Sequence, residues 1–217
     1  MFDRIYARAR ERVTGIARDL TPAQLDARVP ATPLWTARQL VAHVTGVASD
    51  AAHGRTEGMP GAAWTAGHVS AREGRPLDDV LAEWAEVGPA IQAALAGRRM
   101  PVVIVHDLLT HEGDLREASG LPPVPLDDLE PALEVLARGV CRRVEGPGTL
   151  VLRSGNREWT GGDGEPRVSV EVGPGELYRG LMSRRTVAEM RAWPWSGDPE
   201  PYLTSLPVFG PARTRAA

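Results

Sequence analysis

Apolar positions recur at helical spacing through the first 120 residues and then give way to alternation. Ile5, Ala9, Val13 and Ile16 mark one face of residues 2–19, with arginines on the other. Thr21-Pro22 has the form of a helix start, threonine capping and proline in the first turn, opening a short helix through Leu25. Ala31-Thr32-Pro33-Leu34 breaks the pattern. Thr36-Ala37-Arg38-Gln39 then reads as a capping box, and the helix it opens carries Leu40, His43, Val44 and Val47 to about Ala52. Residues 53–75 are rich in Gly, Ala and His with weak periodicity, and are expected to form a long connection. A helix from Pro76 to about Ala96 follows, with Leu77, Val80, Leu81, Trp84, Ile91 and Leu95 as its stripe and an expected kink at Gly88-Pro89. Residues 102–119 give a further helix, stopped by Gly120.

Leu121-Pro122-Pro123-Val124-Pro125 reads as a stiff linker. It places the domain boundary so that residues 1–120 form a bundle of four main helices and residues 121–217 a small α+β domain. In the second domain Leu129–Val144 is helical. Thr149–Arg153, Arg157–Thr160 and Arg167–Val172 are strands, and Glu176–Met182 and Thr186–Trp193 are helices. The tail, with Pro207 and Pro211, is expected to fray.

Composition narrows the function classes. A net charge of -3 gives no reason to expect nucleic acid or an anionic membrane as partner. The single cysteine, Cys141, excludes an intrachain disulfide framework, and its helical setting reads as a buried inert thiol. With no signal-like core and no apolar run of about 20 residues, a cytoplasmic protein is expected. No P-loop, G-x-G-x-x-G, G-x-S-x-G or HExxH is present, which disfavours nucleotide enzymes, α/β-hydrolases and zincins.

The chemistry gathers on the helix at 102–119. Asp107 and His111 stand four residues apart, about 40° from each other around the axis, so a carboxylate and an imidazole are offered to one side. His43 shares a stripe with Leu40 and Val47 and should face the bundle interior. Alone, such a histidine is more often a hydrogen-bonded core residue; beside Asp107 and His111 it supplies the third ligand of a divalent metal. His106 lies about 140° from His111 and is a poor partner on the same ion. Asp114 is read either as an acceptor orienting the His111 ring or as a salt-bridge partner of Arg38 or Arg116. Asp50 shares the His43 face but stands about 10 Å along the axis, too far for direct ligation. Two histidines and a carboxylate leave open coordination positions, where a bound water or thiol loses its proton near neutral pH.

These segments resemble a known family. Thr32-Pro33-Leu34-Trp35-Thr36-Ala37-Arg38-Gln39-Leu40-Val41-Ala42-His43 is similar to the "pgWtvrdLvaHl" opening of mycothiol-dependent maleylpyruvate isomerase-like proteins. Asp107 to Arg116 resembles their "D/E-x-x-x-H-x-x-D-L" signature, and Trp64-Thr65-Ala66, Val69, Arg72 and Glu83-Trp84 match their middle region. The wider group is the DinB-like four-helix metalloenzyme superfamily. Ser183-Arg184-Arg185-Thr186 and Gly197-Asp198-Pro199 resemble the sterol-carrier-like domain that many members append.

The resemblance implies zinc on His43, Asp107 and His111, with mycothiol as the second cofactor and Arg184 or Arg185 as the catalytic, cofactor-binding arginine. In the isomerase the carboxylate ligand is a glutamate, so Asp107 is one methylene shorter. All 25 basic residues are arginine, which fits the high-GC bacteria that make mycothiol. The implied function is a metalloenzyme that activates a cofactor thiol for addition to a small electrophilic substrate. Elimination after bond rotation makes it a cis–trans isomerase; retention of the adduct makes it an S-transferase. A non-catalytic binding or regulatory protein on the same scaffold, and a hydrolase using metal-bound water, stay open beside it. Trp35, Trp64 and Trp84 are read as core packing, with a cleft-wall role as the alternative. An apolar open face of the bundle would support a homodimer.

Overall fold

A computed structural model describes residues 1–212; the end of the tail, where fraying is expected, lies outside the described residues. The chain divides into two compact units, Met1–Pro122 and Pro123–Ala217, the division falling inside the proline-rich segment.

The first unit is a bundle of four long helices: α1 (Phe2–Asp19), α3 (Ala37–His53), α5 (Leu77–Ala96) and α6 (Val103–Ala118). Between the first two lie α2 (Pro22–Asp26) and a two-stranded hairpin, β1 (Arg28–Val29) and β2 (Thr32–Thr36); α4 (Ala62–Ser70) lies between α3 and α5. Of the stripe Ile5, Ala9, Val13 and Ile16 on α1, the first three are buried and Ile16 is half-buried; Ala17 continues the buried face. It meets α5, whose Trp84 donates its indole N–H to the Tyr6 hydroxyl at 3.0 Å, satisfying the one polar atom that so large a side chain brings inside. Burial pushes that phenol up to about 12.

Helix α3 is started by the expected capping box, in which Thr36 accepts from the Gln39 amide and the Gln39 side chain accepts from the Thr36 amide. Every residue of α3 from Leu40 to Ser49 is buried. A helix covered on all sides is central to its domain, and α1, α4, α5, α6 and β2 all pack against it. Helix α6 is buried from Ile104 to Leu115 apart from Asp107. Polar residues of these two helices are therefore forced into each other's company. Helix α5 runs through Gly88-Pro89 as one element.

Two parts of the first unit depart from the sequence reading. The break at Ala31–Leu34 lies in a hairpin, paired as Arg28↔Thr36 and Val29↔Thr32. The long connection after His53 contains helix α4.

In the second unit α7 (Leu126–Arg143) packs on a four-stranded sheet of order β4-β3-β5-β6, made of β3 (Thr149–Ser154), β4 (Arg157–Gly161), β5 (Arg167–Glu171) and β6 (Trp195–Ser196). β3 pairs antiparallel with β4 and parallel with β5, and β6 closes the far edge antiparallel. Helices α8 (Pro174–Leu181), α9 (Val187–Arg191) and α10 (Glu200–Leu203) complete an α+β fold. Leu150, Val151 and Leu152 are all fully buried, so β3 is covered on both faces. Cys141 is buried in α7, and burial pushes its thiol up to about 11, as an inert core cysteine should be. Among the described residues no helix is long and apolar enough to cross a membrane.

Candidate metal centre

His43 comes from α3, and Asp107 and His111 from consecutive turns of α6. One ligand atom from each lies within 4.8 Å of the others. Asp107 Oδ1 stands 3.6 Å from His43 Nε2 and 3.7 Å from His111 Nε2. The two imidazoles meet edge to face with centroids 5.0 Å apart. Both are buried, whereas the Asp107 side chain keeps 31% of its exposure, so the carboxylate marks the side of the cluster that solvent reaches.

The other ring nitrogens are also engaged. His111 Nδ1 lies 3.0 Å from Asp114 Oδ2, and Asp114 is fully buried. A carboxylate beside a ring nitrogen calls for the proton there, so Nδ1 donates and Nε2 keeps its lone pair toward Asp107. Arg116 pairs with Glu112 at 2.7 Å and Arg38 with Asp26 at 3.1 Å. Burial holds His111 below the ordinary imidazole range against the opposing pull of Asp114 and Asp107, which favours the neutral, ligating form.

His43 Nδ1 faces His68 Nδ1 at 3.3 Å, and His68 Nε2 lies 3.0 Å from Asp50 Oδ2. Burial lowers the His68 pKa, more than the hydrogen bond to Asp50 raises it. Burial works to raise Asp50, but hydrogen bonds from His68 and Arg55 outweigh it and hold the carboxyl below its usual range. Asp50 reaches the cluster through His68. Trp35, delivered by β2 one residue ahead of the α3 cap, packs its ring 4.7 Å from His43 and 5.9 Å from His111. Trp64 lies edge-on to His68 at 4.1 Å. Trp84 is pure core.

His106 is buried, and burial alone pushes it down to about 4. His53 bonds the Ser49 carbonyl at 2.7 Å. Arg184 and Arg185 belong to the second unit. There Arg185 grips Glu176 through Nε and Nη2 at 2.7–3.0 Å, and Arg184 donates to the Met182 carbonyl at 3.2 Å.

The sequence model of the mycothiol maleylpyruvate isomerase N-terminal domain matches residues 6–116, a span that holds all three clustered side chains. The chain belongs to that family. Among solved structures, the mycothiol-dependent maleylpyruvate isomerase and a histidine-to-alanine mutant of it each align with a TM-score of 0.55 at 14% identity, covering 84% of this chain and 88% of theirs. At that identity the likeness establishes the fold. A search of curated proteins finds no match.

Proposed function

We propose that the protein is a mycothiol-dependent metalloenzyme of the isomerase or S-transferase type, with zinc held by His43, Asp107 and His111. The observation that carries this reading is the donor spacing. Ligands about 2.0–2.1 Å from a tetrahedral ion stand about 3.3 Å from one another. The two separations at Asp107, 3.6 and 3.7 Å, are within a few tenths of an ångström of that, and all three donor atoms lie within 4.8 Å of one another. Asp107 and His111 share one helix face and α3 brings His43 close, which supports Asp107 as the carboxylate ligand although it is one methylene shorter. Zinc at these three donors would supply an acidified thiol, so that a mycothiol thiolate exists at neutral pH.

The chain's own residues prepare for this. Asp114 fixes the His111 ring in the tautomer whose free nitrogen faces the cluster. Trp35 covers both imidazoles. Asp107 alone opens toward solvent, which leaves one side for a thiol and a small electrophile. The family resemblance keeps Arg184 and Arg185 as candidate carboxylate-binding groups, with Arg185 engaging the Glu176 carboxylate of its own unit.

The test is elemental analysis with a thiol-dependence assay. About one zinc per chain is expected in the wild type and loss in His43→Ala and His111→Ala, with turnover of maleylpyruvate-like electrophiles only when mycothiol is added. A wild type that takes up no zinc refutes the metal site and leaves a binding protein on this scaffold. Zinc binding with thiol-independent hydrolysis would instead identify a hydrolase.

A further inference from the structure

Behind His43 stands a third imidazole that belongs to no expected ligand set. His68 Nδ1 and His43 Nδ1 are 3.3 Å apart, and His68 Nε2 is 3.0 Å from Asp50 Oδ2. Two nitrogens facing each other need one proton between them, one ring donating and the other accepting. The far end of the chain decides which. An ionised carboxylate only accepts, so His68 carries its proton on Nε2 and gives it to Asp50. Its Nδ1 is then bare and accepts from His43 Nδ1–H. The His43 Nε2 lone pair is left facing Asp107. The donations run His43 to His68 to Asp50, and they set the tautomer that a metal needs.

His68 is also held in place from several sides. A Cβ built on Gly46 would lie 2.4 Å from His68 Cγ, so the ring is seated directly against the α3 backbone at a position where only glycine leaves room. Trp64 borders it at 4.1 Å, Arg72 donates to its carbonyl at 3.0 Å, and Arg55 anchors Asp50 at 2.9 Å. On the other side His111 has a carboxylate directly behind it in Asp114.

We propose that His68, backed by Asp50, is a positioning residue of the metal centre: a carboxylate–imidazole relay that fixes the tautomer and orientation of His43. It rests on the reading of His43 as a ligand. Partners behind a ligating histidine are ordinarily worth about 10–100-fold in metal affinity.

The experiment combines zinc affinity, by competition with a chromophoric chelator, and long-range proton–nitrogen NMR of the His43 ring in metal-free protein. The proteins are the wild type, His68→Phe, His68→Asn and Asp50→Asn. The wild type should show His43 protonated at Nδ1. His68→Phe should lose that signature and bind zinc about 10–100-fold more weakly. His68→Asn, which keeps an acceptor where Nδ1 stood, should recover part of both. Asp50→Asn keeps the shape, frees the relay to run either way, and should move both readouts in the same direction by less. Should His68→Phe fail to fold, the Asn variants carry the comparison. A wild-type His43 protonated at Nε2, or zinc affinity unchanged across the folded variants, overturns the relay. A wild type that binds no zinc overturns the metal reading instead, and the NMR signature still decides the relay.

Discussion

Gly46 and Gly15 are both interior residues of long helices, and replacing each by alanine should have opposite consequences. Alanine is favoured over glycine in a helix by about 0.5–1 kcal/mol through the lost freedom of the unfolded chain. At Gly15 on α1 an added Cβ meets nothing within 4 Å, so that gain should appear undiminished. At Gly46 the same atom would lie 2.4, 2.5 and 2.6 Å from Cγ, Cβ and Cδ2 of His68. Ordinary carbon contacts are about 3.5–4.0 Å, so the histidine must retreat by about 1 Å. A rotamer change can move Cγ and Cδ2 but not Cβ, which the backbone fixes at 2.5 Å, so α4 itself has to move. Overpacking of this kind costs about 1–3 kcal/mol. With the helix gain subtracted, Gly46→Ala should lose up to about 2.5 kcal/mol while Gly15→Ala gains about 0.5–1. Urea unfolding of both variants with chelator present, so that bound metal does not shift the midpoint, measures the difference. If Gly46→Ala is stabilised as much as Gly15→Ala, the close seating of His68 on α3 is wrong.

Other outcomes follow from groups around the cluster. Glu112 is wholly buried beneath Arg12 at 2.6 and 2.8 Å and Arg116 at 2.7 Å, fastening α1 to α6 one residue from His111. Glu112→Ala removes the carboxylate that two largely buried guanidiniums share and should cost about 3–5 kcal/mol in urea unfolding, with the double variant Arg12→Met/Glu112→Met losing less; a loss equal in both would speak against the ion pair. His106 titrates near 6.5 when exposed but about 4 when folded. Its contribution is therefore complete above pH 6.5 and declines as pH falls toward 4, costing about 2 kcal/mol by pH 5. Unfolding midpoints of metal-free protein at pH 7.5 and 5.0 check this, and His106→Leu should flatten the difference; an unchanged slope in that variant contradicts it. Cys141, its thiol pushed up to about 11, should react with a disulfide reagent at pH 8 far more slowly in the folded protein than in urea. Equal rates would place the thiol at the surface.

The four bundle helices were legible because their buried faces are apolar and their starts are chemically marked. The Thr36–Gln39 box is formed, and the threonine starts at Thr21 and Thr186 prove to be capping boxes too, closed by Gln24 and Glu189. Helix α4 was not legible, for a physical reason: its one buried residue is His68. A helix docked by a polar side chain leaves no hydrophobic period to read. The β1–β2 hairpin is equally silent, since its strands have two and five residues and its one buried side chain is Val29. β6, two residues long, is defined by pairing with Ser169 and Val170 rather than by any local pattern. Within the cluster, Asp107, His111 and Asp114 could be associated from spacing on one helix. The His43–His68–Asp50 chain spans 25 residues between its two imidazoles and depends on how α4 folds back on α3, which no local pattern encodes.

The same hydrogen bonds bear on what kind of chemistry the cluster suits. With Nδ1 of His111 donating to Asp114 and, in the proposed relay, Nδ1 of His43 donating to His68, both Nε2 lone pairs converge with Asp107 Oδ1 inside 4.8 Å. A proton placed there satisfies two of the three at most, whereas a divalent cation satisfies all three at once. A catalytic dyad working by proton transfer needs the reverse arrangement, with a proton shared between base and carboxylate. Asp114 lies behind His111, and Asp50 lies behind His43 by way of His68, so neither carboxylate occupies the site itself. Asp107 supplies the negative charge in front, and it comes from the same helix as His111. A cation bound to these donors would cross-link α3 to α6 at the most deeply buried stretch of both helices, so metal affinity and bundle stability would be two measures of one interaction.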